Sequence, residues 1–500
     1  MTKARNKTII SLLVILATGT LLRIYNLTAR ALWHDEAFSA LLIKYNFQEM
    51  IDRIILDVHP PFYYIALRGW DFFFGDSLFS LRMFSVFCSV LIILAVYLLA
   101  KATFKNNKIA LFSALLVAIN SFQIQYAQEM RMYTLTAFLI VISSYFLLKA
   151  LYDKQSSRIW FALYITSVVA TIYSHYYAFF SIFAQFLFVV YYFWSAFKLN
   201  FSNWLKNKNF QHCAISYLLI GIFYIPWLKV FLKQLSQVQE NYWIPTMNFW
   251  SIPQTIYKLT TGIGIDASNY KWILTGLIIV VIYLFALALK KNKSEAKWLI
   301  FLLFIIPFIG AGLLSLKTSI YLDRYFIFVS AFYIILISAS VFKIEKKAIR
   351  NALIIILILG SASAVVYNLD NLKIKEKPGM AGMAGYLNQE AKPGDKIYVS
   401  SSFVYFTFKY YNNTGIYPLL YCPGELSHFS GTALLSPEDI IKDFQQETKK
   451  NDIVWVINTS GFGNYQPETP KTWIKQEEKG FQDAYDYQGW IILKKYKVSN

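Results

Sequence analysis

Long apolar runs separated by short basic segments organise this chain. Runs near 8–24, 82–100, 109–124, 133–150, 159–177, 178–197, 210–230, 272–289, 298–316, 324–342 and 351–367 are each about long enough to cross a hydrocarbon core of ~30 Å, and they predict about eleven membrane spans. The connections alternate in character. Lys101/Lys105/Lys108, Lys149/Lys154/Arg158, Lys198/Lys206/Lys208, Lys290/Lys291/Lys293/Lys297 and Lys343/Lys346/Lys347/Arg350 occupy every second one, in step with Lys3/Arg5/Lys7. The positive-inside rule makes these connections and the N-terminus cytoplasmic. The segment 60–75, PPFYYIALRGWDFFFG, is apolar but short and is interrupted by Arg68 and Asp71. A span there would carry every later basic cluster across the membrane, so an interfacial or re-entrant helix is expected.

That scheme leaves a loop over 25–81, a rim over 121–132, a loop over 231–271 and a tail from 368 on the outer face. In the tail Gly, Pro, Asp and Glu return. MAGYLNQEA reads as helix, KPGD as a turn and KIYVSS as a strand; SPEDIIKDFQQETKK opens like a helix, with Ser436 as N-cap and Pro437 at its first position. DIVWVI and WIILKKYKV read as further strands. The expected organisation is therefore a membrane domain over 1–367, whose first outer loop 25–81 carries interfacial helices, and a small extracytoplasmic α/β domain over 368–500. The N-terminal MTKARNK and the apolar run after it have the outline of a signal peptide. No small-residue cleavage site precedes Arg23, so the run is expected to stay as the first span.

Composition sharpens the class. Of 500 residues, 56% are hydrophobic and mean hydropathy is +0.41, which fits a polytopic membrane protein. The net charge of +19 lies in clusters between spans rather than along one face, which argues against a nucleic-acid partner. Cys88, Cys213 and Cys422 are too scattered for a metal cluster or a disulfide framework. There is no Walker A sequence, no complete G-x-G-x-x-G and no Asp-x-Asp pair. An outer-face enzyme without nucleotide machinery would take its activated group from a lipid.

Ionisable residues gather on that outer face. In LWHDEAFS, Asp35 and Glu36 precede an i, i+3, i+4, i+7 pattern of Phe38, Leu41, Leu42 and Tyr45, which predicts an amphipathic surface helix. Asp35 is then either its N-cap or a general base at the water–membrane boundary. Pro60 and Pro61 hold His59 at a fixed point in DVHPPFYY. YAQEMRMYTL places Glu129 and Arg131 at the rim; residues two apart on a helix do not face each other, so each needs a partner from elsewhere or a ligand. SHYYAFF brings His175 and Tyr176, and LDRYFIF brings Asp323 and Arg324, the latter abutting a long apolar run where a cation calls for an anionic partner.

Sugar transfer from a polyprenyl phosphate needs a carboxylate to take the acceptor proton and cations to hold the departing phosphate. Asp35, Glu36, His59, Arg131 and Arg324 meet that demand without a cofactor or a divalent metal. The segments LWHDEAFS, DVHPPFYYIAL, SLRMFSVFCSVL, YAQEMRMYTL and LDRYFIF resemble the GT-C fold membrane glycosyltransferases, in the branch of protein O-mannosyltransferases and bacterial lipid A aminoarabinose transferases. The resemblance covers roughly the first 370 residues. It implies an inverting transfer of one sugar from a polyprenyl phosphate, with Asp35 as base, Glu36 beside it and His59 near the donor phosphate. It also makes Glu129 a second acidic site position and Arg131 and Arg324 phosphate or sugar contacts; His175 and Tyr176 join them as donor-binding candidates. The β-trefoil insertion of the protein O-mannosyltransferases is absent, which weighs against protein O-mannosylation.

The expectation is thus a multi-pass glycosyltransferase of a bacterial plasma membrane. Its acceptor would be a hydroxyl of an envelope lipid, glycan or protein. The alternative, a flippase or secondary transporter for lipid-linked glycans, calls for ionisable residues or broken helices near the bilayer midplane, and the apolar runs read as long and mostly free of charge.

Overall fold

The computed structural model describes residues 2–153, 155, 157–198, 200–240, 243–371, 376–446, 448–462, 465–484 and 487–499; Lys154 of the basic connections lies outside them. By mutual packing the chain forms two compact units. The first, a helical unit, comprises Met1–Tyr25, His59–Tyr63 and Arg82–Asn368. The second comprises Asn26–Val58, Tyr64–Leu81 and Leu369–Asn500, so most of the first outer loop belongs with the tail residues.

In chain order the helices are α1 (Thr2–Ile24), α2 (His34–Leu42), α3 (Phe47–Leu56), α4 (Phe62–Phe74), α5 (Leu78–Phe104), α6 (Asn107–Ala118), α7 (Ser121–Ala127), α8 (Tyr133–Tyr152), α9 (Ser157–Ile172) and α10 (Ala178–Phe197). There follow α11 (Phe201–Lys206), α12 (Lys208–Glu240), α13 (Ser251–Thr261), α14 (Ala267–Lys291), α15 (Lys297–Ser315), α16 (Ile327–Val341), α17 (Lys347–Asn371), α18 (Gly379–Glu390) and α19 (Ser402–Tyr411).

Among the described residues of the helical unit, nine helices are long and apolar enough to cross a membrane. The bent pair α6–α7 makes a tenth candidate, and the shorter apolar α9 stands where the fifth span is expected. The chain is therefore a multi-pass membrane protein. At the centre lies α16, buried along its whole length and packed on α6, α8, α14 and α15. Helices at the periphery leave large apolar side chains such as Ile279, Ile282 and Ile355 exposed, as a lipid solvent allows.

The uninterrupted run expected over 109–124 is instead broken, with α6 and α7 meeting at 56°. Asn120 supplies the break. Its side-chain oxygen caps α7 by accepting from the Gln123 N–H (3.0 Å), while its amide donates to the Leu259 carbonyl (3.0 Å). Side-chain capping of this kind offers the backbone an alternative to a continuous helix.

The second unit carries a six-stranded sheet. Its strands are β1 (Lys396–Val399), β2 (Leu419–Tyr421), β3 (Ile440–Ile441), β4 (Ile453–Thr459), β5 (Trp473–Gln482) and β6 (Trp490–Val498), in the order β3-β2-β1-β4-β6-β5. The pairs among β3, β2, β1 and β4 are parallel, and β6 and β5 add antiparallel. Tyr398, Val454, Val456, Trp473 and Tyr496 form its core. The expected strands at 396, 453 and 490 and the helix over MAGYLNQEA are present; the highly charged β5 and α19 are additional. The helix expected from Ser436 lasts one 3₁₀ turn, Pro437–Asp439. Ser436 and Asp439 do form a capping box, but Ile440 and Ile441 then pair with Leu420 and Tyr421, so sheet pairing of two β-branched residues overrides the helical start.

Candidate active site

Asp35 and Glu36 occupy the first turn of α2 in the second unit. Trp33, not Asp35, is the N-cap, and no side chain caps the helix. The local reading of Asp35 as a cap is therefore set aside. α2 ends at Leu42, short of Tyr45, and Phe38 and Leu42 are buried in protein rather than spread on a lipid surface. The helix packs on α19: the His34 ring lies 5.3 Å from Phe403 and 5.6 Å from Phe406, and the Leu32 N–H donates to the Tyr411 hydroxyl at 3.0 Å. Glu36 is fully buried and Asp35 half-buried. Burying a carboxylate is costly unless it is partnered, and a packed helix holds such a group more tightly than a loop tip does.

The remaining candidates belong to the helical unit. His59 stands at a bend before Pro60, and the chain is fixed just beyond by the Phe62 N–H donating to the Tyr173 carbonyl at 2.8 Å. The Arg131 guanidinium reaches His59 Nε2 at 3.5 Å. Glu129 and Arg131 lie not on a helix but in the turn between α7 and α8, where the Arg131 N–H donates to the Glu129 carbonyl (2.8 Å). The turn is tied to the end of α1, because the Gln128 amide donates to the carbonyls of Arg23 (3.1 Å) and Tyr25 (2.8 Å). Glu129 and Arg131 are only 3% and 2% exposed.

His175 sits in the turn between α9 and α10, outside both helices. Its Nδ1 accepts the Tyr177 N–H at 3.1 Å, and its ring packs 5.0 Å from Tyr325 and 6.3 Å from Tyr133. Burial, then the nearby His59 and Arg131, push its pKa down to about 3, so it is a neutral hydrogen-bonding group at pH 7. Tyr176 turns toward α12, accepting from the Trp227 indole N–H (3.1 Å), pairing with Gln234 and stacking edge-on to Phe231. Asp323 pairs with Lys258 (2.6 Å), and the Arg324 guanidinium lies 5.4 Å from the centre of the Trp243 ring. Tyr126 has Asp323, Glu129 and Arg324 within electrostatic reach, which joins the two halves of this cluster. Among the described residues no group of three or more His, Cys, Asp or Glu could hold a metal ion.

Sequence reading missed Lys258, which lies in a stretch read only as an outer loop, and Arg23, noted only as the end of an apolar run. A cation inside an apolar run is itself a signal that a partner is needed.

A family model described as dolichyl-phosphate-mannose-protein mannosyltransferase matches residues 58–227, the stretch holding His59, Glu129, Arg131, His175 and Tyr176. No curated protein matches the sequence. Among solved structures, ArnT from Cupriavidus metallidurans bound to undecaprenyl phosphate superposes with a TM-score of 0.62 at 13% identity, over 96% of this chain and 97% of that one. This is the GT-C fold. The archaeal oligosaccharyltransferase AglB from Archaeoglobus fulgidus, in complex with an inhibitory peptide and a dolichol-phosphate, shares it with a TM-score of 0.53 at 13% identity, over 83% of this chain and 64% of that one. The matched segment and the GT-C fold are both those of membrane glycosyltransferases. Asp35, Glu36 and Arg324 lie outside the segment, so their assignment rests on the chemistry of their surroundings.

Proposed function

We propose that this protein is an inverting glycosyltransferase that moves one sugar, a mannose-like hexose or a pentose, from a polyprenyl phosphate to a hydroxyl acceptor. The acceptor is an envelope lipid, glycan or protein on the outer face of a plasma membrane, where the second unit also lies. The observation that carries this reading is the set of Glu129, Arg131 and His175, buried in the turns before α8 and α10 of a GT-C helical unit, with the half-buried His59 against Arg131. Two cations, Arg131 and Arg324, beside tyrosines suit an anionic leaving group and a sugar. The lipid phosphates bound by ArnT and AglB support the donor class.

In this scheme Asp35 accepts the acceptor hydroxyl proton as the oxygen attacks the anomeric carbon from the face opposite the phosphate. The bond from that carbon to the phosphate oxygen breaks, and the phosphate leaves as an anion held by the arginines and His59. Glu36 positions its neighbour, and neutral His175 donates or accepts a hydrogen bond without adding charge. A stable phosphate anion needs no acid to protonate it, so one carboxylate suffices.

Single-turnover reactions of the purified protein with radiolabelled polyprenyl phosphate mannose, arabinose and other hexose donors test the assignment, comparing wild type with Asp35→Asn. Wild type is expected to release label from one donor, and the variant to do so at least about 100-fold more slowly. Equal rates in both would remove Asp35 as base. Donor binding without turnover in either would favour a lipid-linked glycan carrier.

A further inference from the structure

The end of the helical unit opposite the Arg131 turn carries a second feature. α8 runs 20 residues from Tyr133, next to that turn, to Tyr152, a rise of ~30 Å. Around its far end opens a cavity of about 1380 Å³, bordered by Lys101, Lys105, Lys149, Lys291, Lys293 and Lys343. These lysines come from the ends of α5, α8 and α14 and from the connections after α5, α14 and α16. Like charges brought to one concave surface repel one another unless something negative occupies it.

The lining carboxylates do not neutralise it. Asp153 and Glu295 are the two among the described lining residues, against six lysines. Asp153 is bound to Lys149 (2.9 Å) and accepts from the Trp160 indole (3.3 Å), while Lys291 turns to the exposed Glu345 outside the cavity (2.8 Å). Among the described residues Lys101, Lys105, Lys293 and Lys343 have no carboxylate at ion-pair distance. Topology asks only for a number of basic residues near span ends; it does not ask that they surround one space. The rest of the wall is apolar or amphipathic, with Leu98, Leu148, Tyr145 and Tyr152 descending along α5 and α8.

We infer that this cavity binds the phosphate headgroup of an anionic phospholipid, with the acyl chains following the apolar wall formed by α5 and α8. A ligand with phosphate at one end and hydrocarbon at the other uses both parts of the lining, and basic pockets between spans are suited to such headgroups. A free phosphate would use the lysines alone. The site is separate from the proposed donor site, being at the other end of the same helices. Its occupancy would draw together the connections after α5, α14 and α16.

Binding of phosphatidylglycerol and phosphatidylcholine to the full chain in detergent, followed by native mass spectrometry, tests the inference. Phosphatidylglycerol is expected to bind at least about tenfold more tightly, with about fivefold lost per lysine removed in Lys105→Gln, Lys293→Gln and Lys343→Gln. The exposed Lys290→Gln and Lys347→Gln, which do not line the cavity, are expected to keep the preference. If the triple variant does not stay monodisperse, the single variants carry the test. Unchanged selectivity in every cavity variant overturns the inference. So does displacement of phosphatidylglycerol by glycerol phosphate at equal phosphate concentration, which would make the ligand a free phosphate.

Discussion

Replacing Arg23 tests how the bundle holds the turn that bears Glu129 and Arg131. The Arg23 side chain is fully buried, and among the described residues its hydrogen-bond partners are all neutral. Nε donates to the Ser89 hydroxyl (2.8 Å), Nη1 to the carbonyls of Gly19 and Ala118 (both 2.9 Å), and Nη2 to the Val117 carbonyl (3.1 Å). Val117 and Ala118 end α6; the Val117 carbonyl also accepts from the Asn120 N–H (3.4 Å), whereas the break at Asn120 removes the next turn that would have satisfied Ala118. Arg23→Met keeps roughly the length and volume but takes from the Ala118 carbonyl its donor and leaves the Val117 carbonyl with backbone N–H donors alone. One buried orphan carbonyl costs about 1–3 kcal/mol, the lost bonds to Ser89, Gly19 and Val117 add to it, and releasing a desolvated cation returns part of the total. The net loss is expected to be about 1–3 kcal/mol in denaturant or thermal unfolding of the purified protein. The Gln128 amide also reads the carbonyls of Arg23 and Tyr25, so a shift of this helix end misplaces Arg131, and turnover should fall more than donor affinity. Arg23→Lys keeps the charge but not the fork that spans Ser89 and three carbonyls, and should fall close to Arg23→Met. Stability within about 0.5 kcal/mol of wild type together with unchanged turnover would refute this account. The break would then rest on Asn120 alone.

Three further outcomes follow from the geometry. Asp439 accepts from Tyr405 (2.7 Å), Lys409 (3.0 Å), the Ser436 N–H (2.8 Å) and the Tyr417 hydroxyl; burial alone would raise its pKa, but these donors outweigh burial and hold it well below the ordinary 3.8. Its contribution is therefore complete above that value and lost as pH falls below it, and Asp439→Asn should remove this acid dependence and cost about 2–3 kcal/mol at pH 7, read by proteolysis of the second unit against pH. For His175 the unfolded side chain takes a proton near its ordinary 6.5 and the folded one only at about 3, so stability falls as pH drops from 6.5 toward 3 and His175→Asn should flatten unfolding midpoints over that window. Gly262 caps α13 at φ +70°, and a Cβ there would lie 2.7 Å from Ser121 Oγ and 2.9 Å from the Phe122 nitrogen; Gly262→Ala should cost about 2 kcal/mol or more and, by displacing the start of α7, lower transfer activity.

Much of the architecture could be read from periodicity because a lipid solvent imposes it. A helix that spans hydrocarbon must be apolar along its length, so α5, α8, α14 and α16 announce themselves. What could not be read is where neighbours intervene. Residues 109–124 look like one span; that they bend by 56° depends on Leu259 and Arg23, which lie far away in sequence and supply the partners that make a break tolerable. The same holds for Ser436-Pro437-Glu438-Asp439, a sound helix start that becomes a single turn once β2 offers a partner to Ile440. Among candidate site residues, His59 stands out in the sequence by the two prolines after it, and Glu129 and Arg131 by a spacing that denies them each other on a helix; the structure brings these three near His175. Tyr176 carries no such signal, and its place against Trp227 and Gln234 is a matter of packing that spacing does not encode.

The lysines of the opposite end show the complementary limit. In the sequence they signify only as a count, since the positive-inside rule depends on how many basic residues flank a span and not on where their side chains meet. Six of them border one cavity that has two carboxylates among the described lining residues, a property of three dimensions that the same letters could equally have lacked. The helical unit therefore separates two kinds of charge. Mixed charges, buried among tyrosines, lie at the turns bearing Arg131 and His175. Cations of one sign ring an open space at the far end of α8. Buried mixed charge favours fixed geometry and chemistry, because each group is held by specific partners in a low dielectric. A concentration of one sign in an accessible cavity stays unresolved until a counter-charge arrives, so ligand occupancy rather than catalysis is the behaviour its electrostatics demand.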